Sequence, residues 1–334
     1  MKKYLPLLLR LLGPALLVLF LANANLEQLW ESLRSAQAWP IALSLLLMPP
    51  FVLIKSWRWL RLMREMGLQL DFRTACGLYT VGLFYGATTP GQAGDLLKGV
   101  YLHDRGQPLA PAMLSVVIDR LFDLLVMAAF GTLGIFALGR LLPSRELQTA
   151  LVLVMAVGLA ALTAVLVARV PRTWMLTVAL PRFAPGFTAT LSRWNSQLHG
   201  LSLRPALVAE LTLLSLGSAA FTFLRLWLLF LALGLDRAPL AVVVGVSALI
   251  AVLQVLPISI AGVGVRDAAL IAVLLPYGYQ TEQALALSAL FLLINVQHIL
   301  VGFILSFWYP LARRSAPTTD AASNGSAAAG SSEP

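Results

Sequence analysis

Residues Thr88 to Lys98 read TTPGQAGDLLK, which sets Pro90, Gly91 and Gly94 in the middle of an otherwise apolar region. In hydrocarbon no water can satisfy a freed N–H or C=O. An interrupted backbone therefore survives there only against protein or a water-filled cavity. The stretch also carries Asp95 and Lys98, three residues apart and so on one face of any helix that restarts after Gly91. A second break of similar composition, Pro257 to Asp267 (PISIAGVGVRD), follows in the other half of the chain. One such break per half is the pattern of discontinuous helices facing each other around a binding site.

The composition around these breaks fixes the class. Of 334 residues 59% are hydrophobic and 12% charged, with mean hydropathy +0.84. Soluble domains run near 25% charged, so the chain reads as an all-α, polytopic transmembrane helical bundle. Its net charge of +9 would suggest nucleic acid in a soluble domain, but here Arg and Lys fall between apolar runs, which is topogenic charge. Nucleic acid is therefore not an expected partner. A single cysteine, Cys76, excludes an internal disulfide framework, and His103, His199 and His298 show no ligand spacing. No cofactor or metal is expected, and no soluble catalytic domain is visible.

Read in order, the chain opens on Lys2, Lys3 and an apolar run from Tyr4 to Leu21 that imitates a secretory signal. Arg10 interrupts the run, which is long enough to cross, so a retained first span is expected. Asn25 to Gln37 has the charge alternation of an interfacial helix. Trp39 to Trp59 is the second span, and Lys55, Trp57, Arg58, Trp59, Arg61 and Arg64 look like an aromatic belt with a basic cytoplasmic flank. Cys76 to Thr89 and Gln92 to His103 form the arms of the first break. Spans follow from Pro108 to about Leu138, from Leu147 to Ala168 and from Ala206 to Leu233. Between the last two lies the basic, Pro-broken connection Arg169 to Arg204. Leu240 to Leu256 leads into the second break, Val265 to Leu275 returns from it, and Glu282 to Tyr309 is the last span. The domain boundaries are 1–312, with halves at about 1–140 and 141–312. Residues 313–334, rich in Ala, Ser and Gly, form a disordered tail.

At 1.5 Å per residue the arms of the first break reach only about 21 and about 18 Å, against a hydrocarbon core of about 30 Å. Each break is thus either a re-entrant hairpin or one kinked crossing helix. Charge favours hairpins: six full spans plus two hairpins put Lys55 to Arg73, Arg169 to Arg204 and both termini on the cytoplasmic side. Three spans and one hairpin per half is an odd number. The second half is then inverted relative to the first, and the hairpin tips can meet near the midplane.

A half-helix starting at a Gly-rich turn inside the membrane aims its unpaired N–H groups at an anion such as a lipid phosphate. Gly262 and Gly264 before Arg266 fit this, whereas Asp95 after Gly91 and Gly94 either competes with the anion or caps its helix. Asp267 either serves the site or pairs with a basic neighbour. Asp119, Arg120 and Asp123 share one helix at a depth where charge is costly and usually functional. Their DRLFD spacing resembles a magnesium-binding prenyltransferase motif, but no second acidic cluster accompanies it. Arg225 is either a partner of Asp119 or Asp123 or a snorkelling residue, while Gln254, Asn295, Gln297 and His298 are suited to interhelical hydrogen bonds. The substrate-binding candidates are Pro90, Gly91, Gly94, Asp95, Lys98, Asp119, Arg120, Asp123, Pro257, Gly262, Gly264, Arg266 and Asp267, with Lys98 and Arg266 as phosphate contacts.

The KSWRW end of the second span, TTPGQAGDLLK, SVVIDRLFDLL from Ser115 and PISIAGVGVRDAAL together resemble the flippase-like integral membrane family that includes the transmembrane region of bacterial lysylphosphatidylglycerol synthases. The resemblance covers roughly residues 10 to 310. That family commonly has glutamate where Asp95 or Asp267 stands and arginine where Lys98 stands, which keeps charge and alters geometry. The resemblance implies a protein of the bacterial cytoplasmic membrane that moves a phospholipid or polyprenyl-type lipid between leaflets. It does not imply lysyl transfer, because the soluble synthase domain is missing from this sequence. A membrane-embedded transferase and an envelope scaffold are the competing classes. The expected partner is a membrane lipid with an anionic headgroup, with a second copy or an envelope enzyme as the protein partners left open.

Overall fold

The computed structural model describes residues 17–137, 139, 144–167, 173–183, 186, 188–189, 192, 195–196, 204–255 and 262–310. All regular structure among them is helical. Most of the expected first span, most of the Arg169–Arg204 connection, the tip of the second break including Pro257, and the tail from 311 onward lie outside the described residues. Among the described residues three helical stretches are long and apolar enough to cross a membrane: Ala38–Glu65, Pro205–Ala232 and Thr281–Ser306.

Helix α1 (Leu26–Arg34) is capped by Asn25, whose side chain accepts from the Glu27 and Gln28 N–H groups; it buries no residue fully and leaves Trp30 exposed. Helices α2 (Ala38–Leu46) and α3 (Met48–Glu65) form one kinked span, with Pro49 and Pro50 at the kink. Proline has no N–H, so Pro49 cannot satisfy the Leu45 carbonyl four residues back. Gln297 Nε2 donates to that carbonyl instead (2.9 Å), and Arg225 Nε donates to the neighbouring Ser44 carbonyl (2.9 Å). The remaining main helices are α4 (Phe72–Thr88), α5 (Leu97–Asp104), α6 (Leu109–Ala137), α7 (Arg145–Val167), α8 (Pro205–Ala232), α9 (Leu240–Val255), α10 (Val265–Leu274) and α11 (Thr281–Ser306).

The arms that flank each break run antiparallel and pack against each other. After α4 the chain turns at Thr89 (φ −117°, ψ 144°) into the segment Pro90–Leu96, which is kinked by Gly91 and Gln92 at φ 62° and 55° and leads as a 3-10 turn into α5. The returning arm lies antiparallel to α4. Gly94 sits on the Tyr85 backbone, the Lys98 side chain crosses Gly82, and Gln107 donates to the Gln69 carbonyl (3.2 Å). A Cβ on Gly94 would meet Tyr85 O at 2.2 Å, so this close approach needs glycine. The second break repeats the pattern with α9 and α10. Gln254 packs on Gly262 near the tip, and the Arg237 N–H donates to Tyr279 Oη (2.6 Å) at the open end.

Contacts at the helix ends show that the hairpins open at opposite ends of the bundle. Arg61 pairs with Glu210 (2.7 Å) and Arg105 stacks on Tyr309 (5.4 Å) at the end where the first hairpin opens. At the other end Gln37 N donates to Ala232 O (2.8 Å) and Asn25 N to Glu282 (3.0 Å), beside Arg237 and Tyr279. The tips meet between these ends, where Gln92 Nε2 donates to Gln254 Oε1 (3.4 Å). Separate apolar cores, one around Trp59, Tyr79 and Tyr101 and one around Phe230, Val246 and Leu274, hold the two hairpins in place.

Candidate functional site

The centre of the bundle is a chain of ion pairs. Arg58, 1% exposed, donates through Nε to Asp119 (2.8 Å) and through Nη1 to Asp123 (2.6 Å) and Ser215 (2.7 Å). Lys55 Nζ holds the other oxygen of Asp123 (2.7 Å), and Tyr79 Oη donates to Asp119 (3.2 Å). Lys98, fully buried, pairs with Asp95 (2.9 Å), lies 3.9 Å from Asp119 and sits 4.0 Å from the Tyr79 ring centre. Arg120 closes the chain by donating to Asp95 (2.7 Å) and to Gln92 Oε1 (2.7 Å). Such charges persist in a low-dielectric interior only when each is paired and hydrogen-bonded. Helix spacing builds this arrangement from few elements. Lys55 and Arg58 share a face of α3, and Asp119 and Asp123 share a face of α6.

Beside this network lies a cavity of about 570 Å³. Both hairpin tips line it, with Gly91, Gln92 and Asp95 from the first and Gln254 and Gly262 from the second. Its cations are Lys55, Arg120 and Arg225, and its remaining wall is largely apolar, including Phe51, Leu83, Leu124 and Phe291. Gln92 is the one non-glycine residue at positive φ among the described residues. That strain, of order 1–3 kcal/mol, is held by its bonds to Arg120 and Gln254, and such strain gathers at functional sites.

The candidates named from sequence divide in two. Gly91, Asp95, Arg120, Asp123 and Gly262 border the cavity, whereas Gly94 packs the first turn and Asp119 lies behind it in the ion network. Pro90 opens the 3-10 segment, and Pro257 lies outside the described residues. Lys98 and Arg266, the expected phosphate contacts, do not line the cavity. Lys98 is consumed by Asp95 and by the Trp59 and Tyr79 rings that α3 and α4 bring against it. Arg266 Nε donates to Ser288 (2.7 Å), its guanidinium stacks on Phe291, and Asp267 lies 3.8 Å away. Asp267 accepts from the Gly264 N–H (2.6 Å) and from the Ser288 hydroxyl, so it caps α10, and Gly264 at φ 81° supplies the turn before it.

Two more expectations are corrected. Arg225 pairs with neither Asp119 nor Asp123. It bonds Ser44 O, Gln297 Oε1 (2.9 Å) and His298 Nε2 (3.1 Å), which accepts because arginine can only donate. Lys55 and Arg58 belong to the ion network rather than to a membrane-surface flank, since α3 runs on to Glu65 and the surface lies nearer Arg61 and Arg64. A signal for this was present in the sequence: Asp95, Asp119 and Asp123 are three acids, and Lys98 with Arg120 supplies only two cations for them.

Two opposed helical hairpins meeting at a charged cavity, inside a bundle with membrane-length apolar helices, define a polytopic membrane protein with an internal polar site. A family profile described as lysylphosphatidylglycerol synthase TM region matches residues 7–302, and the chain belongs to that family. No curated protein matches it.

Proposed function

We propose that the protein carries the headgroup of an anionic lipid between the two leaflets of the membrane. The observation that carries this reading is the cavity at the meeting point of the hairpin tips, where Lys55, Arg120 and Arg225 outnumber the two acids Asp95 and Asp123 on a wall that is largely apolar. A cavity of this size holds a headgroup and its phosphate, and the acyl chains can stay in lipid. Six full spans plus two re-entrant hairpins, related as an inverted repeat, give each leaflet its own hairpin and the substrate one shared midpoint. The positive-inside rule puts the end holding Arg61, Arg64 and Arg73 toward the cytoplasm. Opposed tips also suit alternating access, since a small tilt of either hairpin opens the cavity to one side.

The contacts to phosphate pass from Lys98 and Arg266 to Lys55 and Arg120. A charge-assisted hydrogen bond contributes about 1.5–3 kcal/mol, so losing one should slow transfer by about tenfold or more. In reconstituted vesicles, Lys55→Gln and Arg120→Gln are expected to lower the rate of anionic lipid transfer by that factor. Each leaves its acid a second partner, Arg58 for Asp123 and Lys98 for Asp95. Folded yield should therefore hold. Transfer by both variants at the parent rate would remove the headgroup site and leave the scaffold reading.

A further inference from the structure

The cavity is one negative charge short twice over. Among the described residues, Lys55, Arg58, Lys98 and Arg120 of the ion network face Asp95, Asp119 and Asp123, which leaves one positive charge uncompensated. Arg225 adds another, because all three of its hydrogen-bond partners are uncharged acceptors: two oxygens and the His298 ring nitrogen. The Arg266–Asp267 and Arg61–Glu210 pairs balance themselves and change nothing in the count. One cation of the network, Lys55, shares a wall with Arg225. Lys55 Nζ lies 5.2 Å and the Arg225 guanidinium 5.9 Å from the centre of the Phe51 ring, and His298 stacks on that ring at 6.0 Å. Donors remain free on that wall. Lys55 commits one of its three N–H groups to Asp123, and Arg225 commits three of its five.

Uncompensated charge in a low-dielectric site is costly and is relieved by a ligand of matching opposite charge. From this count we infer that the cavity takes a headgroup carrying two negative charges, a terminal phosphate monoester or a diphosphate, in preference to the singly charged phosphodiester of an ordinary anionic phospholipid. Arg225 is the residue that discriminates between them. The network's excess charge at Lys55 and Arg120 serves either class, and Arg225 finds its counter-charge only in the dianion. The inference rests on the lipid reading above and specifies the headgroup of that lipid. Free inorganic phosphate or diphosphate has the same chemistry and is the other possible source of the ligand.

Binding of short-chain phosphatidic acid (a monoester), short-chain phosphatidylglycerol (a diester), inorganic phosphate and diphosphate to the detergent-purified full chain tests this. Above the second phosphate pKa of about 6, phosphatidic acid is expected to bind about tenfold tighter than phosphatidylglycerol, the equivalent of one charge-assisted contact. Arg225→Gln should erase that difference. If Arg225→Gln does not fold, the parent protein decides alone, since the preference should collapse as pH falls below about 6 and the monoester loses its second charge. Equal binding of the two lipids by the parent, or a preference that persists at low pH, overturns the charge count while the anionic lipid reading stands. Binding of phosphate or diphosphate with neither lipid bound keeps the dianion site and overturns the lipid reading.

Discussion

Arg58→Met is expected to leave little folded protein. Among the described residues Arg58 alone bonds both Asp119 and Asp123, and it is 1% exposed at the crossing of α3, α6 and α8. Without it Asp119 keeps Tyr79 and a distant Lys98, and Asp123 keeps Lys55 alone. Removing one partner of a buried ion pair costs about 3–5 kcal/mol, because the charge left behind stays desolvated. Exposed pairs contribute under about 1 kcal/mol, so the size of the effect reports where the arginine sits. Melting of the detergent-purified variant, followed by size-exclusion monodispersity, measures it. Arg58→Met combined with Asp119→Asn should recover part of the loss by removing one stranded charge, while Asp123 keeps Lys55 and Lys98 keeps Asp95. A single variant with the parent's yield and melting temperature would place Arg58 in water or among lipid headgroups.

Asp95→Ala is expected to have the next largest effect. Asp95 is the closest counter-charge of fully buried Lys98 and, among the described residues, the one acid paired with Arg120. Lys98 would be left with Asp119 at 3.9 Å and two aromatic rings, which again costs about 3–5 kcal/mol. Arg120→Ala should cost less, since Asp95 retains Lys98 and Arg120 is itself 27% exposed to the cavity. A double variant, Asp95→Ala with Lys98→Met, should melt above Asp95→Ala alone. If it melts lower instead, the ammonium is stabilised by its rings rather than by the carboxylate.

Much of this architecture is legible in the sequence, because lipid leaves few options for a Pro-Gly break. TTPGQAGDLLK and the residues flanking PISIAGVGVRD form hairpins since their arms are too short to cross, and the basic loops already favour that geometry over crossing helices. The tips meet through Gln92 and Gln254, as opposed hairpins allow. The direction of single side chains is another matter. Three-residue spacing says that Lys98 and Asp95 share a face, but not that the face turns toward Trp59 and Tyr79, which α3 and α4 supply from far away in the chain. Lys55 and Arg58 near the end of a span look the same whether they anchor it at the surface or bind acids one turn deeper. Arg225 donates to the Ser44 carbonyl beside the Pro49–Pro50 kink, a partner set by a helix about 180 positions away and invisible in its own FTFLRLWLLF run.

The account's central claim is that lipid headgroups pass through the cavity between the hairpin tips, and tying the tips together tests it most directly. With Cys76→Ser as background, Gln92→Cys and Gln254→Cys place one thiol on each tip, at positions whose native side chains touch. Vesicles containing this protein, treated with a short reducible thiol crosslinker, should lose anionic lipid transfer and regain it on reduction, while either single-cysteine variant is unaffected. Transfer that continues at the uncrosslinked rate in fully crosslinked protein would contradict the claim.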